Sequence, residues 1–193
     1  MATREEVLKE LAESTEVKRA VAEQLADTIL KAAQMIIDAY KAGKKVLLIG
    51  NGGSAADAQH LATELVGRFM VERKALPAIA LTTDTSALTA ISNDYGYEQV
   101  FRRQIEALAE TGDVLIAMTT SGASPNILAA IKTAQAVGMQ VIVMTGEKGI
   151  STIMEKAGLV LAVPSSRSPR IQEAHITIGH IICYLVEKEL FVE

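Results

Sequence analysis

His60 and Glu64 stand four residues apart in "GNGGSAADAQHLATEL" (Gly50–Leu65), directly after the apolar run "KVLLIG". At about 100° per residue, a helix puts both on one face, one turn apart, so an imidazole and a carboxylate can converge on one point. Those two residue types can move a proton. The alternative is a surface pair on an exposed helix face. A second polar pair, Gln172 and His180, lies eight residues apart in "RIQEAHITIGH", again within reach of one helical face. Surface pairing at 60 and 64 does not account for it. His175, in the same stretch, reads as an ordinary helix residue.

Two loops carry the chemistry of an anion site. In "GNGGSAADAQ" the glycines allow close approach of the backbone, and the following helix begins with free N–H groups aimed back at the loop. In "TTSGASPN" four hydroxyls, Thr119, Thr120, Ser121 and Ser124, surround a glycine just before a helix with Pro125 in its first turn. Hydroxyls and backbone N–H groups together bind a phosphate dianion without any Lys. Ser and Thr also gather at helix N-caps for purely local reasons, and either loop alone is open to that account. "GNGGSAA" does not read GxGxxG, and GxxxxGK[ST] is absent, so dinucleotide and P-loop signatures fail. A phosphorylated small molecule remains, with sugar phosphates the natural candidates.

These residues need a scaffold, and the apolar runs supply one. Runs at 45–50, 77–82, 113–119, 140–146 and 159–164 are apolar on both faces, as strands covered by helices on each side must be. Ser54–Val66 and Pro125–Val137 show helical periodicity, the second stopping at Gly138. The pattern is α/β: a three-layer, doubly wound, mainly parallel five-stranded sheet, with ligands expected at the carboxyl ends of its strands. Long helices flank it. Residues 3–42 place Leu8, Leu11, Val17, Val21, Leu25, Ile29, Ala33, Ile36 and Ile37 at three- and four-residue steps, and residues 169–190 form a second amphipathic helix. So much apolar face suits an oligomer interface or packing within the monomer. Without repeats, low-complexity tracts or linkers, residues 1–193 read as a single domain.

The bulk properties exclude other classes. With 193 residues the chain buries roughly 70% of its unfolded surface and needs no staples. A net charge of −4, 4% aromatic residues and no Trp leave neither the basic patch nor the stacking platform of a nucleic-acid binder. Cys183 lacks a partner cysteine and reads as a small buried hydrophobe in a reducing compartment. The charged N-terminus and the absence of a long apolar run predict a soluble, cytoplasmic protein with no membrane span.

The order "GNGGSAADAQHLATE", "TTDTSALTAISNDYG", "TTSGASPN", "RIQEAHITIGH" resembles the bacterial phosphoheptose isomerases, which have the sugar isomerase (SIS) fold. The resemblance runs over almost the whole chain and is weakest in residues 1–40. It implies that Asn51, Gly52, Gly53, Asn93 and Asp94 contact substrate and that Thr119, Thr120, Ser121 and Ser124 hold its phosphate. It implies one zinc ion per subunit on His60, Glu64, Gln172 and His180, with Glu64 and His180 as the acid/base pair and Glu64 and Gln172 also at the substrate. It further implies a homotetramer that converts sedoheptulose 7-phosphate to D-glycero-D-manno-heptose 7-phosphate for lipopolysaccharide core synthesis. Ala55 departs from relatives that carry His there. "RIQEAH" and "ALTAISND" also resemble tetrameric SIS proteins that bind the bacterial replication initiator, but those lack the Glu and His present here at 64 and 180. An isomerase or regulator of another sugar phosphate is a third reading, since nothing in the residues counts seven carbons.

Overall fold

The computed structural model describes residues 2–153 and 158–192. Helix α1 (Arg4–Lys41) opens with a capping box in which Thr3 and Glu6 satisfy each other's backbone N–H groups. It leads into β1 (Val46–Gly50), α2 (Gly53–Val66) and β2 (Ala78–Ala80). Helices α3 (Thr85–Tyr95) and α4 (Val100–Leu108) follow, then β3 (Val114–Thr119), α5 (Pro125–Val137) and β4 (Gln140–Gly146). A one-turn α6 (Ile150–Ile153) precedes β5 (Leu159–Val163) and the long α7 (Ser168–Phe191). The strands form one fully parallel sheet in the order β2-β1-β3-β4-β5.

Alternation along the central strands divides the core in two. Val46, Leu48, Val114, Ile116, Met118, Ile142 and Met144 face α1, α2 and α7. Leu47, Ile49, Leu115, Ala117, Val141 and Val143 face α4 and α5, where Phe101, Ile105, Ile127 and Ile131 cover them. The expected doubly wound sandwich is present, with its five strands within the apolar runs. Only the edges are thinner: β2 has three residues, and its Ile79 is 39% exposed. Helices α3 and α4 lie in a stretch to which sequence reasoning assigned no helix. None of the residues of α3 is fully buried, and its apolar stripe is short, with Leu88 and Ile91 packed against the core.

At the amino-terminal end of the sheet, Asp113 is fully buried and accepts hydrogen bonds from the backbone N–H groups of Lys45 (3.0 Å) and Glu110 (2.8 Å). The Lys45 ammonium lies 2.7 Å away. Burial alone would raise this carboxyl; together these partners hold it below the usual range. The pair ties the starts of β1 and β3 far along the strands from the loops expected to bind ligand.

Cys183 is buried, and desolvation pushes its thiol up to about 12, in keeping with an inert apolar filler. His175 is more consequential than an ordinary helix residue. Its ring is wholly buried, Nε2 lies 3.2 Å from the Thr145 carbonyl, and Nδ1 has no partner among the described residues. Desolvation pushes its pKa down to about 4, although the Thr145 carbonyl acts the other way. The unfolded chain therefore takes up a proton near pH 6.5 that the folded protein refuses until about pH 4. Stability is full above that window and falls as pH drops through it, by about 3 kcal/mol from this group. Urea unfolding at pH 7 and near pH 4 should show His175→Gln losing less stability than wild type between the two. Equal losses would refute the assignment.

Candidate active site

The strand order reverses between β1 and β3, so the loops leaving those two strands diverge and open a crevice at their carboxyl ends. They are the two loops singled out in the sequence. Asn51 and Asn126 join them across the crevice: the Asn51 amide donates to Asn126 Oδ1 at 3.0 Å, and the Asn126 amide donates to Asn51 Oδ1 at 2.9 Å. Tyr97 adds a third member, its hydroxyl donating to Asn51 Oδ1 at 3.0 Å. Sequence reasoning assigned no role to Asn126 or Tyr97. Asn126 was legible only as a polar residue in the first turn of α5, yet it is 3% exposed. Asn93 and Asp94 sit at the exposed end of α3, with the Asn93 amide donating to Asp94 at 2.8 Å. Among the hydrogen bonds of the described residues, this segment reaches the crevice through Tyr97 alone.

The hydroxyl at the N-cap of the loop does not serve the helix. Ser124 is the N-cap of α5, but its side chain makes no capping bond. Its hydroxyl lies 3.3 Å from Thr119 Oγ1, which also accepts from the Gly122 N–H at 3.2 Å. Ser121 accepts from Ala123 N–H at 3.3 Å, and the Thr120 carbonyl accepts from Gly146 N–H at 3.2 Å. Thus Thr119, Thr120, Ser121 and Ser124 ring the start of α5, whose first-turn N–H groups add a partial positive charge. The local-capping account does not explain Ser124.

The third component is carried by helices. Gly52 and Gly53 turn β1 into α2, and Gln172 of α7 lays its amide against Gly53 so closely that a Cβ there would lie 2.5 Å from Nε2. Two turns along, a Cβ on Gly179 would lie 2.5 Å from the Leu61 methyls. Because Gly179 has no side chain, α7 lies tight against α2, and the residues adjacent to this contact, His60 and His180, meet. His60 Nε2 and His180 Nε2 are 2.8 Å apart, and Glu64 Oε1 is 3.2 Å from His60 Nε2. The Phe69 ring packs against His180, 5.7 Å between centroids.

One ligand atom from each of His60, Glu64 and His180 lies within 4.8 Å of the others. Two imidazole nitrogens and a carboxylate oxygen with an open side suit a catalytic zinc ion. The side chain of His60 is 48% exposed and that of Glu64 21%, so the cluster is open to a small molecule. All four helix-borne candidates therefore lie along one α2/α7 seam, with Gln172 at its Gly53 end.

Comparison with known proteins identifies the family of the fold. The SIS domain family model matches residues 11–146. The phosphoheptose isomerase of Citrifermentans bemidjiense is 54% identical over 188 residues, 97% of this chain and 97% of that protein. Among solved structures, the phosphoheptose isomerase of Neisseria gonorrhoeae superposes with a TM-score of 0.90 at 42% identity, covering 96% of this chain and 98% of that one. That of Francisella tularensis gives 0.93 at 37% identity, covering 97% and 100%. A chain so similar from end to end belongs to the phosphoheptose isomerase family of SIS-domain proteins.

Proposed function

We propose that this enzyme converts sedoheptulose 7-phosphate to D-glycero-D-manno-heptose 7-phosphate. The observation that carries the proposal is the convergence of Glu64 and His180, 116 residues apart in sequence. The reaction moves a proton from C1 to C2 through an enediol. A base takes the C1 proton while the C2 carbonyl oxygen gains one; the C1 hydroxyl then gives up its proton and C2 receives one. Glu64 and His180 are a carboxylate and an imidazole suited to these transfers. Thr119, Thr120, Ser121, Ser124 and the first turn of α5 hold the phosphate, and Asn51, Gly52, Gly53, Asn93, Asp94 and Gln172 line the sugar. The Asn51–Asn126–Tyr97 bonds fix the floor on which the chain of the sugar lies.

His60, Glu64, Gln172 and His180 would hold zinc, which when bound supplies Lewis-acid polarisation of the carbonyl. The initiator-binding alternative gives no reason for a clustered Glu and two His, and the relatives at about half identity are named isomerases.

The whole chain acts as one SIS domain, with residues 1–42 as the oligomerisation segment of a homotetramer. Exposed Val7, Leu8, Leu11 and Leu30 on α1, with Ile181 and Tyr184 on α7, support that assembly. No helix among the described residues is long and apolar enough to cross a membrane, which accords with a cytoplasmic enzyme supplying heptose for lipopolysaccharide core.

The test is to incubate purified, metal-analysed protein with sedoheptulose 7-phosphate, follow the aldose by NMR, and size the same preparation by light scattering. Conversion of the heptulose but not of fructose 6-phosphate, reduced by chelator and restored by zinc, is expected. No conversion of either sugar by folded, zinc-replete protein would overturn the proposal.

A further inference from the structure

Beneath the α2/α7 seam lies a second charged pair that the reaction does not use. Arg73 and Glu187 have side chains only 2% and 3% exposed, with Nε 3.0 Å from Oε2. Burying two charges costs more than their attraction returns unless the remaining donors and acceptors are satisfied, and here they are. Glu187 accepts the backbone N–H groups of Phe69 (3.0 Å), Met70 (2.7 Å) and Val71 (3.0 Å). Arg73 donates to the carbonyls of Glu64 (2.7 Å), Leu65 (2.9 Å), Gly67 (3.2 Å) and Lys74 (3.1 Å).

These bonds end on the active-site residues themselves. Arg73 grips the backbone carbonyl of Glu64 in the last turn of α2, where intrahelical partners run out. Glu187 lies seven residues, about two turns, beyond His180 on α7, and so on nearly the same face. The segment it holds includes Phe69, whose ring rests on His180. One ion pair thereby fixes the end of α2, the loop after it and α7 in a single arrangement.

We infer that Arg73 and Glu187 are positioning residues: their buried pair sets Glu64 and His180 at the separation the reaction and its metal require. The inference rests on the isomerase reading for its kinetic arm but not for its metal arm. Outer partners of ligating side chains typically change metal affinity or activity by about 10–100-fold when altered. Lysine at 73 keeps the charge near Glu187 but loses the planar fork that reaches several carbonyls at once.

The experiment compares Arg73→Lys and Glu187→Gln with Asp113→Asn, which breaks a buried ion pair at the other end of the sheet. Each protein is melted, titrated with cobalt(II) alone while the visible spectrum is followed, and assayed for kcat and KM. Arg73→Lys and Glu187→Gln should bind cobalt at least about tenfold more weakly with an altered spectrum, and lose kcat by a similar factor. KM should stay within about threefold, because the phosphate loop lies on other elements. Asp113→Asn should melt lower yet keep wild-type cobalt binding and kcat. If Glu187→Gln does not fold, Arg73→Lys decides. Wild-type cobalt affinity and kcat in Arg73→Lys, or an equal loss of both in Asp113→Asn, would overturn the inference. Wild-type protein that binds cobalt yet converts no sugar phosphate would overturn the isomerase reading instead.

Discussion

Glu64→Gln should lower turnover of sedoheptulose 7-phosphate by about 1000-fold, the order expected when a general base or acid is removed. Gln keeps the shape of the side chain and most of its hydrogen-bonding capacity but cannot accept a proton from carbon. The fold should survive, since Glu64 is held in the last turn of α2 by its backbone carbonyl and its side-chain pairing with a half-exposed His60 is worth at most about 1 kcal/mol. The melting temperature should therefore stay within a few degrees. Losing a carboxylate also weakens any zinc at the cluster, so the assay is repeated with excess zinc. Turnover that stays low identifies a lost proton transfer. His180→Gln should behave alike, because it removes the imidazole that meets His60 at 2.8 Å. Near-wild-type rates in both variants would sink the mechanism.

Gly122→Ala should raise KM for the sugar phosphate by about 100-fold through the backbone of the hydroxyl loop. Gly122 sits at φ +69°, which costs an L-residue roughly 1–2 kcal/mol. More important, a Cβ there would overlap the Cα of Gly149. Gly149 cannot retreat, because its own missing Cβ position is filled by the Thr145 hydroxyl. The loop must move instead, carrying Thr119, Ser121 and Ser124 away from their common centre. Losing one or two hydrogen bonds to a charged phosphate, each worth about 1.5–3 kcal/mol, weakens binding on the order of 100-fold. The kcat should change much less, since Glu64 and His180 stand on α2 and α7. Inhibition by inorganic phosphate should weaken in parallel with KM. An unchanged KM would mean that the loop does not hold the phosphate.

Much of this was legible in the residues. The five strands read as apolar runs because the sheet is covered on both faces, and α2, α5 and α7 read as helices because each buries one stripe. Helix α3 was harder to read because its apolar stripe is short: only Leu88 and Ile91 pack against the core, and neither is fully buried. The hydroxyl loop and the pairing of His60 with Glu64 follow from type and local spacing, so the sequence alone determined them. That the substrate is a heptose phosphate came from resemblance, because phosphate-binding loops do not measure chain length.

Only the tertiary structure brought the two halves of the site together. His60 and His180 are 120 residues apart and meet because Gly179 lets α7 close on Leu61 of α2. Asn51 meets Asn126 across 75 residues, and Arg73 meets Glu187 across 114. Periodicity reports which face of an element is buried; it carries no information on which other element buries it. That choice is made by the packing of the whole core, where a missing Cβ or a buried ion pair selects one neighbour among several.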